Sequence, residues 1–252
     1  MRRETQNVLL ILLGGALVKI ALNGDYLRYV KPAQQPWIIA GGAVMVVLGA
    51  IAIVRDVLAA RGQARAAAPV PADETHGHGP GEGHHHAARS AWLLVLPVLA
   101  VFLVAPPALG SDSVTRTEAR APQSSAAAEA AAFPPLPADP VVSLPLNQFV
   151  SRAGWDHSGT LNGRTVSLSG FVVHTGGSTL LARLVITCCA ADAFPVTVRL
   201  LGGGADHLAS DTWIQVTGQV VPGTATKANA YTPDFTTATV TPIPAPKDPY
   251  EY

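Results

Sequence analysis

The chain has 252 residues, 48% of them hydrophobic and only 13% charged, and its 17 basic and 17 acidic side chains cancel. Soluble domains carry about 25% charged residues, so a freely soluble enzyme with an evenly charged surface fits poorly. No basic excess provides the electrostatic footprint of a nucleic-acid-binding protein, and two adjacent cysteines, Cys188 and Cys189, are too few for a disulfide framework or a four-cysteine zinc ribbon.

Three apolar runs come first in the chain. Val8–Leu22 is broken only by Lys19, whereas Trp37–Val54 and Ala91–Leu109 carry no charge at all. A bilayer core of about 30 Å needs roughly 17–25 apolar residues per helix. The second and third runs meet that length, whereas the first is short and relies on Lys19 snorkelling to an interface. Three transmembrane helices are expected, at about 8–22, 37–54 and 91–109. Two alternatives stand beside them. Arg2, Arg3 and Val8–Val18 could form a signal peptide, although Lys19 interrupts the cleavage region. The third run could be a buried soluble helix, although Pro97, Pro106 and Pro107 suit a membrane helix better.

Arginine and lysine near the helix ends set the expected orientation. Arg2 and Arg3 precede the first run, and Arg55, Arg61, Arg65 and Arg89 flank or occupy the 55–90 loop, whereas the first connection offers only Arg28 and Lys31. The N-terminus and the 55–90 loop are therefore expected in the cytoplasm, with everything after about Gly110 outside it.

Within the 55–90 loop, five of the eight histidines crowd together: His76, His78, His84, His85 and His86. Glycines between them leave the imidazoles free to converge on one ion, with Asp73, Glu74 and Glu82 as oxygen donors; imidazole suits zinc, nickel, cobalt and copper. A solvated polar loop with idle histidines is the alternative.

Residues 111–145 read as a disordered Ala- and Pro-rich linker whose proline-rich part favours extended polyproline II. From 146 to 252 the pattern changes to a small β domain. Runs at 164–174, 179–188, 194–201, 212–221 and 235–243 alternate apolar and polar residues, are rich in Thr, Val and Ile, and are punctuated by Gly, Pro and Asp. A short helix near 145–153 precedes them. Five strands are enough for a barrel, and "LNGRTVSLSGFVV" and "DTWIQVTGQVV" suggest an OB-like one, with Gly170 and Gly218 as bends; a sandwich competes. The acidic residues of this domain slightly outnumber the basic ones and stacking platforms are scarce, so nucleic acid is not an expected partner.

Cys188 and Cys189 fall at the end of the second strand run, with Asp192 three residues on. On a regular strand, adjacent side chains face opposite ways, unless the strand ends or bulges there. The pair could bind a soft or borderline metal as thiolates, with Asp192 or a histidine (His157, His174 or His207) completing the site. It could form a strained vicinal disulfide, or pack as two small apolar residues. No nucleophile elbow, Walker loop or other catalytic constellation occurs, and three helices with a single internal lysine are too little for a transporter acting alone. A non-catalytic role is expected.

The segments "NGDYLRYVKPAQQPW", the His-rich loop, "LLVLPVLAVFLVAPPALGSDSV", "ARLVITCCAADAFPVTVRL" and the final "PKDPYEY" together resemble the YcgQ-like bacterial membrane proteins. Most of the chain outside the linker takes part, and the double-cysteine segment is the most specific motif. The resemblance implies the small subunit of a two-component permease, a larger multi-helix permease-like partner in the same membrane, and a link to zinc homeostasis. It supplies no catalytic residues, and it implies that Cys188, Cys189 and Asp192 act together. The expectation is an accessory, non-catalytic membrane subunit that handles zinc. A structural assembly subunit without a metal role and an extracytoplasmic thiol–disulfide protein are the alternatives; the lack of a C-x-x-C motif counts against the last.

Overall fold

The computed structural model describes residues 3–66, 96, 99–100, 103–104, 107–117 and 133–252. The chain divides into two compact units. One comprises Met1–Tyr26 and Ala33–Pro106; the other comprises Leu27–Pro32 and Pro107–Tyr252.

In the first unit, α1 (Arg3–Asn23) and α2 (Gln35–Ala66) form an antiparallel hairpin. Both exceed the expected 8–22 and 37–54, because helix continues past the apolar run wherever residues such as Arg55 and Arg61 favour it. Pro36 sits in the first turn of α2, where its missing N–H costs nothing. The helices touch through their smallest residues. A Cβ on Gly14 would lie 2.7 Å from the Gly42 carbonyl oxygen, and one on Gly42 would lie 2.8 Å from that of Gly14. Only glycine permits so close a backbone approach. At either end of the hairpin, the Gln35 amide donates to the Ala21 carbonyl at 3.0 Å, and the Asn7 amide donates to Asp56 at 3.2 Å. Large apolar side chains of α2 (Val44, Val47, Leu48, Ile51, Val54) point outward. A helix apolar on every side belongs in a protein core or in a bilayer, and both helices are long and apolar enough to be candidate membrane spans.

The expected third helix falls largely outside the described residues. Its proposed end does not: residues 107–110 are not helical, Ala108 packs among the side chains of the second unit, and the Leu109 N–H donates to the Tyr250 hydroxyl at 3.2 Å. A helix ending at Leu109 is thereby corrected.

The second unit contains α3 (Ser111–Arg116), β1 (Val141–Ser143), α4 (Leu146–Trp155), β2 (Thr165–Thr175), β3 (Ser178–Val185), β4 (Phe194–Leu201), β5 (Trp213–Val221), β6 (Asp234–Pro242) and β7 (Tyr250–Glu251). Both described ends of the expected linker are therefore folded: Val114 of α3 is buried, and β1 pairs in parallel with β2. Residues 118–132 lie outside the described residues.

The strand pairings run β2–β5–β6–β4–β3, and β3 pairs again with β2, so these five strands form a closed cycle. All pairs in the cycle are antiparallel except β4–β6. They correspond to the five expected runs; β1 and β7, at three and two residues, are too short to show a period. Gly170 and Gly218 both sit where the backbone is crowded, but only Gly218 lies at an irregularity of the ladder. The ladder between β5 and β6 slips at Thr217/Gly218, where any Cβ on Gly218 would collide with the Thr236 carbonyl, and a Cβ on Gly170 would lie 2.5 Å from the Ala182 carbonyl oxygen. Bulges of this kind let a sheet coil.

Strand periodicity divides the core. On β2, Val166, Leu168 and Val172 enter one cluster with Leu181, Val198, Ile214, Val216 and Phe235, while Phe171 and Val173 enter a second with Leu184, Ile186, Val114 and Tyr250. β2 is thus buried on both faces, which explains its unbroken apolar stretch. The amphipathic α4 covers the first cluster with Leu146, Phe149 and Val150, and the Phe149 ring meets Phe235 edge-on at 5.5 Å.

Candidate metal centre

β3 ends at Val185, and the chain then turns around one carboxylate. Asp192 Oδ1 accepts the N–H of Thr187 at 2.8 Å, and Oδ2 accepts the N–H of Cys188 at 2.8 Å. A short 3-10 turn, Ala190–Asp192, brings that side chain back over the preceding residues. This is the local chemistry by which an Asp favours a turn over a continued strand. Cys188 and Cys189 therefore lie in the connection from β3 to β4, and opposite-facing side chains do not arise. Their sulfurs are 3.5 Å apart. One ligand atom each from Cys188, Cys189 and Asp192 falls within 4.8 Å of the others. Cys188 is exposed and Cys189 partly so, and both are free thiols.

The charges of this turn are interdependent. Contact with the Asp192 carboxylate, then with the Cys189 thiol, pushes the Cys188 thiol up to about 11. Burial works against the charge on Asp192, but the N–H groups of Thr187 and Cys188 and the Cys188 thiol outweigh it and hold the carboxyl below its usual range. At neutral pH the turn thus holds protonated sulfur beside an ionised carboxylate. A cation entering there must displace thiol protons, which makes its affinity rise with pH. Two sulfurs and one carboxylate oxygen, with Cys188 exposed, are three donors of the kinds that bind zinc, one short of a tetrahedral set.

The turn is also a docking point for the segment 27–32. Val30 forms an antiparallel bridge with Cys189. The Ala190 N–H donates to the Tyr29 carbonyl at 2.7 Å, and the Lys31 N–H reaches the Cys188 carbonyl at 3.5 Å. Farther along, the Tyr250 hydroxyl donates to the Arg28 carbonyl at 3.0 Å, and the Lys31 ammonium lies 5.4 Å from the centre of the Tyr252 ring.

The final residues brace this arrangement from behind. The Glu251 carboxylate accepts the N–H groups of Leu146 and Asn147 at 2.8 and 2.7 Å, so it caps the N-terminus of α4 where negative charge is favoured. It also faces the buried Arg183 at 3.6 Å. Arg183 donates to the Tyr250 carbonyl at 3.0 Å and stacks 4.8 Å over Trp213. Burial lowers the Arg183 pKa, and Glu251 opposes that shift most strongly. The Ile186 N–H, donating to the Glu251 carbonyl at 3.0 Å, extends this bracing to within two residues of Cys188.

Of the residues expected to bind metal, Cys188, Cys189 and Asp192 are brought together. His76, His78, His84, His85 and His86 lie outside the described residues. Among the described residues no histidine joins the cysteine group. His174, offered as a completing ligand, is engaged elsewhere: its Nε2 is 2.7 Å from the Leu208 carbonyl and its Nδ1 is 3.3 Å from the Thr179 hydroxyl. The contributions of Tyr29–Lys31, Tyr250 and Glu251 were not read from the sequence. "NGDYLRYVKPAQQPW" and "PKDPYEY" stood out as segments, but nothing in their local pattern says what they pair with.

Comparison with known proteins places the chain. No curated protein and no solved structure matches it. The DUF1980 N-terminal domain matches residues 5–119, and the DUF1980 C-terminal domain matches residues 155–252. The boundary of the second match falls at the end of α4, so it contains the whole strand cycle and the cysteine turn, while the first contains the helical hairpin and the segment that docks on that turn. The two matches together cover most of the chain, in the order in which the family arranges them, and the chain belongs to the DUF1980 family.

Proposed function

We propose that this protein is the accessory, non-catalytic subunit of a two-component membrane permease of the YcgQ-like type, and that it binds zinc through Cys188, Cys189 and Asp192. The observation carrying this reading is the turn in which two sulfurs stand 3.5 Å apart with a carboxylate already oriented by two backbone N–H groups. With both thiols ionised, zinc would carry two thiolates and one carboxylate, and the open position would accept water or an incoming ligand. Such a site collects and passes on an ion rather than storing it. The His-rich loop would buffer the same ion on the other side of the membrane, and a larger permease-like protein in that membrane would move it.

Connectivity supports a multi-pass topology. Leu27–Pro32 and Pro107–Tyr252 belong to one unit. If α2 crosses the membrane, the chain leaves the side that holds Leu27–Pro32 and must return before residue 107. That supports a third crossing within the apolar run beginning at Ala91 and ending before Pro107. The arginine bias supports an N-terminus in the cytoplasm and a strand unit outside it. For the strand unit itself we favour an OB-like barrel. The cycle β2–β3–β4–β6–β5 with its parallel β4–β6 pair, the coiling glycines and the helix covering one cluster all support that assignment.

The test uses the full chain in detergent, reduced and without an affinity tag of histidines. Cobalt(II) is titrated in, because thiolate-to-cobalt charge transfer reports sulfur ligation and is blind to the His-rich loop. One equivalent of charge-transfer absorbance, displaced by zinc and lost in Cys188→Ser and Cys189→Ser, is expected. No such absorbance, with both thiols still titratable, overturns the metal reading and leaves a structural assembly subunit, which the backbone pairing of the turn with Tyr29 and Val30 would serve without any ion.

A further inference from the structure

The cysteine turn does two things at once. It presents two sulfurs, and its backbone holds Tyr29, Val30 and Lys31, in the segment that joins α1 to α2 in the chain. Cys189 is itself the residue bridged to Val30, with an extended backbone (φ −154°, ψ 167°). Any event that changes this backbone changes the hold on the segment.

Two chemical events at the sulfurs act on the backbone in opposite ways. Zinc–sulfur bonds of about 2.3 Å across sulfurs 3.5 Å apart subtend roughly 100° at the ion, close to tetrahedral. A chelated thiophilic cation therefore needs little rearrangement of the turn. A disulfide does. Its sulfurs must close to about 2.05 Å, and its Cα atoms normally stand about 4.4–6.8 Å apart, whereas neighbouring Cα atoms across a trans peptide are held at about 3.8 Å. The small ring can close only by distorting the 188–189 backbone, and that is the stretch carrying the Val30 bridge and the Lys31 and Ala190 hydrogen bonds.

We propose that the Cys188–Cys189 turn is a clasp on residues 29–31 that a bound thiophilic cation holds shut and that oxidation of the pair to a vicinal disulfide opens. The cation half of this proposal rests on the metal reading above; the oxidation half does not. The oxidant is a small disulfide such as oxidised glutathione. One cysteine thiolate attacks it, forming a mixed disulfide and releasing one thiol; the second cysteine then attacks the mixed disulfide, forming the Cys188–Cys189 bond and releasing the second thiol. The pair loses two electrons, and the two thiols released carry them away, together with the two protons the cysteines gave up. Arg28 stays tied to Tyr250 throughout, because that bond involves neither sulfur nor the turn. The segment loosens at one end without leaving.

Amide hydrogen exchange on the full chain in detergent reads the clasp directly, in peptides covering residues 27–34 and 186–193. Three states are compared: reduced, reduced with zinc, and oxidised with glutathione disulfide. Oxidation is expected to speed exchange at Lys31 and Ala190 at least tenfold, and zinc to slow it severalfold. The Cys188→Ser, Cys189→Ser double variant should exchange at the same rate before and after the oxidant, which separates the clasp from general damage. Equal exchange before and after complete oxidation overturns the clasp, whatever zinc does. A response to oxidation with none to zinc overturns the cation half of the proposal and leaves a dithiol switch, and the cobalt titration then separates an ion that does not bind from one that binds without tightening the clasp.

Discussion

The helical hairpin and the strand unit are built from similar residues and solve opposite problems. In the hairpin, glycines meet at the contact and Val44, Val47, Leu48, Ile51 and Val54 face out. In the strand unit, Phe149, Phe235, Leu168, Leu181 and Ile214 are almost wholly buried. Burying apolar side chains is worthwhile only when the outside is water. Where the outside is lipid, nothing is gained by hiding a valine, and close backbone packing takes over. The two units should therefore respond differently to the same kind of substitution.

The largest expected effect is on the strand core. Phe149→Ala removes the ring that meets Phe235 and leaves a cavity between α4 and the strands. We expect a loss of about 3–5 kcal/mol, seen as a lower thermal midpoint of the β signal in circular dichroism, with the helical signal of the hairpin unmoved. If both signals fall together, the two units are not independent.

Next comes Glu251→Ala. It strips the cap from α4 and leaves Arg183 buried without its counter-charge, a change that costs about 3–5 kcal/mol in comparable pairs. Glu251→Gln, which keeps one acceptor for an N–H, should cost less. Denaturant titration of both variants checks the order; equal losses would mean that the cap contributes little.

A smaller effect is expected in the hairpin. Gly42→Val forces the helices apart where a Cβ has no room, at about 1–3 kcal/mol. If the hairpin lies in lipid, no burial of apolar area from water offsets this, and the change should only weaken association. Cross-linking efficiency between single cysteines placed on α1 and α2 should drop, and an unchanged efficiency would argue against glycine-mediated contact.

The metal reading sharpens the contrast between exposed and buried chemistry. Since the Cys188 thiol is pushed up to about 11 and must lose its proton to ligate, zinc affinity should climb with pH across the neutral range. Release of that proton corresponds to as much as about tenfold per pH unit. Competition titrations against a chromophoric chelator between pH 6 and 8 measure the slope, and a flat profile would remove the thiols from the site.

The smallest effect concerns the turn after α4. Burial works against the Asp156 charge, but the hydroxyls and N–H groups of Ser158 and Thr160 overcome it and hold the carboxyl at about 2. Its folded pKa is lowered, so its stabilisation is present above the ordinary carboxylate range and fades as pH falls toward 2. Asp156→Asn should cost about 1 kcal/mol or less at pH 7, and the difference from the parent should vanish in strong acid.

What the sequence determined by itself was whatever depends on near neighbours. Uncharged stretches at 37–54 marked a helix suited to lipid, because length and composition decide that within one segment. Alternation marked five strands, because side-chain direction repeats every two residues. Gly218 marked the slip in the β5–β6 ladder, because only glycine tolerates a carbonyl pressed against its Cα. The cysteines and Asp192 could be named as a group because they are four residues apart. Only the tertiary structure decided the rest. Whether the sulfurs face each other depended on Asp192 folding back onto two N–H groups, which the notion of a continued strand could not supply. That Tyr29–Lys31 dock on that turn, and that Glu251 caps α4 more than a hundred residues away, are pairings between distant segments. Such pairings are set by which surfaces remain unpaired once the strand cycle has closed, and no local pattern carries that information.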